Sequence, residues 1–326
     1  MSSKIGTSFY QAFDSPIREV RKFIRKIAKN GGNATEFFIL RTWQRKYIGV
    51  NMPYKQRGYF TDDKFPGEEF PMWDLDQFDE KKWDRWRKIF AYCKKKGVIP
   101  FVRIEDYCSF KDPHSKRFYF QFASYQRKVL REKYGSKWFV NETWKQRSRL
   151  QRKVVDTLLL AGCKEYYIVP MNEANMLGNI DHDKWCYDYH KWAVDDLVNH
   201  GCPKEQIIIS TMWGFDECRS LGCIMEIHGC NSDVRMNEII ATLGTDKIFP
   251  NGDGLDKFAL GRRGDRRTKR EPSPEQGKEM GKLIKKYNLF GHCCLNRNTE
   301  NPLPADIRRA KFDVLKAIIE GYNFVS

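Results

Sequence analysis

Short apolar runs alternate with longer amphipathic segments from one end of the chain to the other. A strand of parallel sheet is buried on both faces and reads as a short apolar run, whereas a helix packed on such a sheet repeats its apolar residues every three or four positions. Eight such pairs can be counted. IGTSFYQAF gives the first strand, and Ser15-Pro16 starts a helix with Ile17, Val20, Ile24 and Ile27 on one face, ended by Gly31-Gly32. EFFILRTW, residues 36 to 43, is the second strand, followed by a long polar, aromatic loop to about Asp79 and a helix over 80–96. VIPFVRIED is the third. An unusually long basic helical region over 117–161, split by Gly135, leads to YYIVPMNEAN as the fourth. IIISTMW, CIMEIHG, DKIFPNGDG and NLFGHCCLN complete the set, with helices near 183–200, 233–243, 274–286 and 304–321 and a very short one from Asp216 to Leu221.

Repeated βα units argue for a parallel sheet. With 326 residues, no low-complexity linker and no internal repeat, the pattern predicts one (β/α)8 TIM barrel over residues 1–326, an α/β fold with a long loop after the second strand. On the third strand a period of two puts Phe101, Arg103 and Glu105 on one face and Val102 and Ile104 on the other. A charged pair on the inner face of a barrel is expensive unless partnered, so Arg103 and Glu105 are expected in polar networks.

Composition narrows the partners. The net charge of +16 favours an anionic partner or surface, which leaves nucleic acid, an acidic polysaccharide, and a virion or membrane surface open. Nucleic acid is the weakest of these, because the chain has no zinc-finger, recognition-helix or RNP pattern. Nine tryptophans and an aromatic content of 14% supply stacking platforms. No apolar run approaches the roughly 20 residues needed to span a bilayer. The opening MSSKIGTSFYQAF lacks the apolar core of a secretion signal, so the expectation is a cytoplasmic or virion-associated protein. The ten cysteines are scattered without a CxxC pair and read as reduced core thiols. His228 with Cys230, and His292 with Cys293 and Cys294, belong to no ligand framework, so neither a metal nor a cofactor is expected.

In a (β/α)8 barrel, chemistry sits where strands end and βα loops begin. The polar residues at those ends are Arg41 and Trp43, Glu105 and Asp106, Asn172 and Glu173, Trp213, His228, Asp253 and Asn296. Trp43, Tyr107 and Trp213 follow strand ends, where their rings could stack on the CH faces of sugars. VPMNEAN, with its Asn-Glu pair at the end of the fourth strand, resembles clan A of the glycoside hydrolases, as do Arg41 ending the second strand and His228 ending the sixth. The resemblance implies that Glu173 is the acid/base carboxylate and that Arg41 lies beneath the nucleophile. It implies an O-glycosidic substrate in an oligo- or polysaccharide, contacted by Arg41, Trp43, Glu105, Tyr107, Asn172, Trp213, His228 and Asn296.

The chain departs from the clan on the seventh strand, where the clan carries its second carboxylate as Glu. Here DKIFPNGDGLDKF supplies Asp253, with Asp256 next in line. Asp is one methylene shorter, which sets its carboxylate back by about 1.5 Å. Retaining enzymes hold their carboxyl groups about 5–5.5 Å apart and inverting ones about 6.5–9.5 Å. Retention follows from the resemblance and inversion from this geometry. Asn251-Gly252 and Asp253-Gly254 are also strong turn dipeptides, and an aspartate there can serve the backbone alone. A barrel that binds carbohydrate without hydrolysing it, inside an assembly such as a virion, is therefore the alternative. The segment Gln44 to Asp76 is expected to form a lid or subsite wall. The basic run GRRGDRRTKREP, residues 261–272, is expected to favour anionic glycans.

Overall fold

A computed structural model describes residues 3–9, 12, 15–39, 53–61, 69–106, 144–172, 182–211, 218–227, 237, 240–241, 248–250, 273–294 and 312–324. Its elements are β1 (Lys4–Phe9), α1 (Ile17–Lys29), β2 (Ala34–Phe38), β3 (Tyr54–Thr61), β4 (Glu69–Phe78), α2 (Glu80–Lys95), β5 (Ile99–Asp106), α3 (Trp144–Leu160), β6 (Tyr167–Asn172), α4 (His182–Asn199), β7 (Ile208–Thr211), β8 (Ile224–Ile227), β9 (Ile248–Pro250), α5 (Pro274–Lys286), β10 (Gly291–Cys294) and α6 (Phe312–Asn323).

Eight of these strands form a ring of parallel neighbours. β10, β1, β2, β5 and β6 are one continuous ladder, and β7, β8 and β9 another. An isolated parallel bridge, Ile168 to Ile207, joins β6 to β7. The Phe290 amide donates to the Ile248 carbonyl at 3.1 Å and joins β9 to β10. The fold is thus the (β/α)8 barrel the sequence predicts, and β6, which ends on Asn172, is the fourth barrel strand.

The helices form because each carries an apolar stripe toward the ring. Val20, Phe23, Ile24 and Ile27 of α1 are buried, as are Trp83, Trp86, Ile89, Phe90 and Cys93 of α2. Starts are marked chemically: Asp79 accepts from the Lys81 and Lys82 amides ahead of α2, and Ser273 with Gln276 makes a capping box ahead of α5. Helices α5 and α6 touch backbone to backbone. A β-carbon at Gly281 would stand 2.1 Å from the Ile318 carbonyl oxygen, and one at Gly321 would stand 2.0 Å from that of Lys278. Such contact requires glycine and accounts for its presence inside two helices, where it otherwise weakens them. Cys93, Cys163, Cys186, Cys202, Cys218 and Cys223 are all buried. Among the described residues no helix is long and apolar enough to cross a membrane.

Two expectations change. The stretch read as a loop from Gln44 to about Asp79 contains an antiparallel hairpin, β3 with β4, paired from Tyr54↔Phe78 to Thr61↔Glu69 with a bulge between Gln56 and Gly58. Its sequences, YKQRGYFT and EFPMWDLDQF, are rich in the aromatic residues that favour strands, and Gly58 has the positive φ that such a bulge admits. The hairpin base is tied down: the Tyr54 ring stacks on Phe78 at 5.4 Å, the Trp83 indole donates to the Pro53 carbonyl at 3.0 Å, and Arg149 donates to the Asp76 carboxylate at 3.0 Å. Of the long basic region expected as helix over 117–161, the described part is α3, and 107–143 lies outside the described residues. The helix near 233–243 and the short one near Asp216 fall largely outside them too.

Candidate active site

Strand alternation sorts side chains into an inner and an outer set. Val102 and Ile104 of β5, Ile168 of β6, Ile209 of β7 and Met225 of β8 join the outer core beneath the helices. Ala34, Phe101, Tyr167, Val169, Ile208 and Ile224 form a separate cluster inside the ring. Phe101, Tyr167 and the adjoining Phe290 fill it as an aromatic plug, with Tyr167 4.7 Å from Phe101 and 4.8 Å from Phe290.

Two residues further along the strands, toward their C-terminal ends, the interior turns polar. Ala34 is followed by Glu36, Phe101 by Arg103, Ile208 by Ser210 and Ile224 by Glu226, and all four polar residues are buried. Arg103 organises this layer. Its Nε donates to Glu36 Oε1 at 3.1 Å, and its Nη2 donates to the same oxygen. Nη2 also donates to Glu226 Oε1, while Nη1 donates to Glu226 Oε2 at 2.6 Å and to Asn172 Oδ1 at 2.7 Å. All five guanidinium N–H bonds are thereby used. Ser8 donates to the other Glu36 oxygen, and Ser210 reaches Asn172 Oδ1 at 3.5 Å. Burial raises the Glu36 pKa above the ordinary carboxylate value; Arg103 opposes that rise and Glu226 adds to it. For Arg103, burial alone would favour the neutral form, but Glu226 and Glu36 outweigh it and hold the guanidinium charged.

Asn172 reaches this layer through a break in alternation. With Tyr167 and Val169 inside, Met171 should follow them inward, yet Met171 packs in the outer core and Asn172 meets Arg103. Pro170 stands at the break. It has no N–H for the ladder, and the register passes from Arg103↔Val169 to Glu105↔Met171. Glu105 shifts with its partner. The sequence places it on the face of Arg103, but its carboxylate meets Arg147 of α3 at 3.0 Å and accepts from Tyr189 of α4 at 3.4 Å. The Arg147 guanidinium also lies over the Tyr189 ring, 5.5 Å from its centroid. Burial raises the Glu105 pKa against the pull of Arg147 and Tyr189. Arg103 and Glu105 both belong to networks, as expected, but to two different ones.

Of the residues the sequence assigns to the site, the structure describes Asn172 and Glu105. Glu173 and Asp253, the reserve Asp256, and Arg41, Trp43, Tyr107, Trp213, His228 and Asn296 lie outside the described residues, as does the basic run 261–272. Glu36 and Glu226 were not singled out in the sequence. A signal existed, since each is the lone charge in an apolar strand, ATEFF and IMEI.

No family model and no curated protein sequence matches this chain. Solved structures do. A candidate glycoside hydrolase from Bacteroides vulgatus aligns with a TM-score of 0.60 at 11% identity, over 92% of this chain and 53% of its own. A glycoside hydrolase family 5 enzyme from Prevotella bryantii, solved as a mutant with a xyloglucan tetradecasaccharide, aligns with a TM-score of 0.56 at 12% identity, over 98% of this chain and 96% of its own. An endo-1,4-β-mannanase from Rhizomucor miehei gives 0.57 at 11% identity, over 98% and 95%. The chain shares their barrel fold. It spans about half the length of the first and nearly all of the other two. Glycoside hydrolases are thus among its structural neighbours, and they share with it the fold and not the sequence.

Proposed function

We propose that this protein is a glycoside hydrolase that cleaves O-glycosidic bonds of an oligo- or polysaccharide, with Glu173 as proton donor and Asp253 as the second carboxylate. The observation that carries the reading is the position of Asn172. It ends the fourth of eight barrel strands, with its carboxamide drawn into the interior polar layer, and Glu173 is the next residue in the chain. In this fold the C-terminal ends of the strands are where reacting groups are mounted.

Hydrolysis needs one group to protonate the departing oxygen and another to meet the oxocarbenium-like centre or activate water against it. Glu173 takes the first role and Asp253, with Asp256 in reserve, the second; product NMR at early times separates retention from inversion. Arg41, Trp43, Tyr107, Trp213, His228 and Asn296 line the sugar path with Asn172, and the basic run over 261–272 directs the site toward anionic glycans. Glu105 has its described partners on helices, which counts against a direct sugar contact.

The test is release of reducing ends from a panel of neutral and acidic polysaccharides, xyloglucan and mannan among them, by wild type and by Glu173→Gln. General acid/base assistance contributes about 10²- to 10⁴-fold, so Glu173→Gln should lose that much turnover while keeping its fold. Near wild-type turnover by the variant would remove Glu173 from the role. Tight glycan binding by wild type without turnover would instead favour the carbohydrate-binding barrel.

A further inference from the structure

The interior polar layer does more than neutralise itself. A guanidinium has five N–H donors in one plane. Glu226 takes one from Nη1 and one from Nη2, and Glu36 takes one from Nε and the other from Nη2. These contacts come from β8 and β2, on either side of β5, so the plane cannot rotate. One N–H remains, on Nη1, and it points at Asn172 Oδ1 at 2.7 Å.

A guanidinium cannot accept a hydrogen bond, so only the oxygen end of the Asn172 carboxamide can face it. The Ser210 hydroxyl, 3.5 Å from the same oxygen, agrees with that assignment. With Oδ1 committed inward, the Nδ2 donor lies on the other side of the carboxamide. We propose that Arg103, clamped by Glu36 and Glu226, is a positioning residue that fixes the carboxamide of Asn172, so that Nδ2 is presented as a ready hydrogen-bond donor to the glycan bound beside Glu173. This rests on the hydrolase reading for its substrate, though the geometry of the clamp does not.

The two glutamates account for the unusual composition of the layer. A single carboxylate would neutralise Arg103 yet leave the guanidinium free to swing, whereas two on different edges fix its direction. Lysine keeps the charge but offers three donors on a rotating ammonium, too few and too loosely aimed to serve both glutamates and Asn172.

Protein labelled with ¹⁵N-asparagine tests the orientation directly, with the Asn172 side-chain amide assigned by its loss in Asn172→Ala. Wild type should give one sharp pair of Asn172 NH₂ signals. Arg103→Lys should broaden or shift that pair while leaving the other asparagines unchanged. In turnover, Arg103→Lys and Asn172→Ala should each lower kcat, by up to roughly 100-fold for a misplaced group, with KM little altered. Their combination should be no worse than the more severe single, because both remove the same donor. Should Arg103→Lys fail to fold, Glu226→Gln serves in its place, since its amide N–H would oppose the guanidinium and turn it. An unchanged Asn172 pair in a folded clamp variant, or single losses that multiply, would overturn the proposal. If wild type cleaves no glycan, the hydrolase reading falls, and the signals of Asn172 still decide the positioning role.

Discussion

Arg103 and Arg147 are both fully buried, each against glutamate, yet they are held in different ways. Arg103 lies inside the ring, where its described partners are strand residues: two carboxylates, a carboxamide and the ring of Phe38, whose centroid is 5.6 Å away. Arg147 lies between the ring and the helices, and its described partners are the Glu105 carboxylate at 3.0 Å and the face of Tyr189. Both guanidiniums lie over an aromatic face, so what sets them apart is the set of directional bonds described for each. Inside a closed ring, side chains from several strands meet at fixed spacing and can saturate a guanidinium with directional bonds. Between layers, the described partners of Arg147, a carboxylate and a π face, tolerate the small slips of a packed helix.

The hardest test removes each cation in turn. Arg103→Met leaves two carboxylates facing each other, and Arg147→Met leaves one that still has Tyr189. Breaking a buried pair costs roughly 3–5 kcal/mol, and we expect Arg103→Met at or beyond the top of that range and Arg147→Met near the bottom, by urea unfolding at pH 7.5. Equal losses would erase the contrast. Acid should sharpen it. Burial raises both Glu36 and Glu105, so with the arginine gone the folded state binds protons that the unfolded chain releases, and stability recovers as pH falls through the folded pKa. One proton contributes about 1.4 kcal/mol per pH unit, and in Arg103→Met a single shared proton relieves the repulsion between Glu36 and Glu226, so the recovery should begin at higher pH there than in Arg147→Met.

A third buried base has neither solution. His190 on α4 is buried, and among the described residues neither ring nitrogen finds a hydrogen-bond partner. Burial lowers its pKa from 6.5 to about 3, so it folds neutral. Its contribution is complete above pH 6.5 and erodes as pH falls toward 3, because there the unfolded chain binds the proton and the folded one does not. By about 1.4 kcal/mol per pH unit, roughly 2 kcal/mol should be gone by pH 5. His190→Leu should flatten that part of the stability profile; an unchanged profile would mean that His190 finds a partner when charged.

The smallest effects compare one hydroxyl from each cluster. Ser8→Ala strips a hydrogen bond from a buried carboxylate inside the ring and should cost about 1–2 kcal/mol. Tyr189→Phe removes a longer bond of 3.4 Å to Glu105 and should cost about 0.5 kcal/mol. Reversal of that order in thermal unfolding would place the stiffer site between the layers.

The strands were legible because each is a short apolar run between helical stripes, and Asn172 falls at the end of the fourth, where VPMNEAN puts it. Arg103 was legible as needing partners. Which partners was not, since Glu36 and Glu226 become its neighbours only when strands far apart in sequence reach the same layer. The placement of Glu105 failed for a local reason, the loss of alternation opposite Pro170. The hairpin after the second strand was hidden in a polar, aromatic stretch whose alternation is interrupted at Gly58.

The closure of the ring sets an order of events for the folding chain. Arg103 and Glu226 are 123 positions apart, and neither can leave water at low cost before the other arrives. Strands β1, β2 and β5 can pair early, but a half-formed sheet offers Arg103 only Glu36 and an open face. The interior should therefore stay hydrated until β8 docks, and the last water should leave in the same step that completes the barrel. A folding intermediate of this protein would be recognised by a wet centre inside an already ordered outer core.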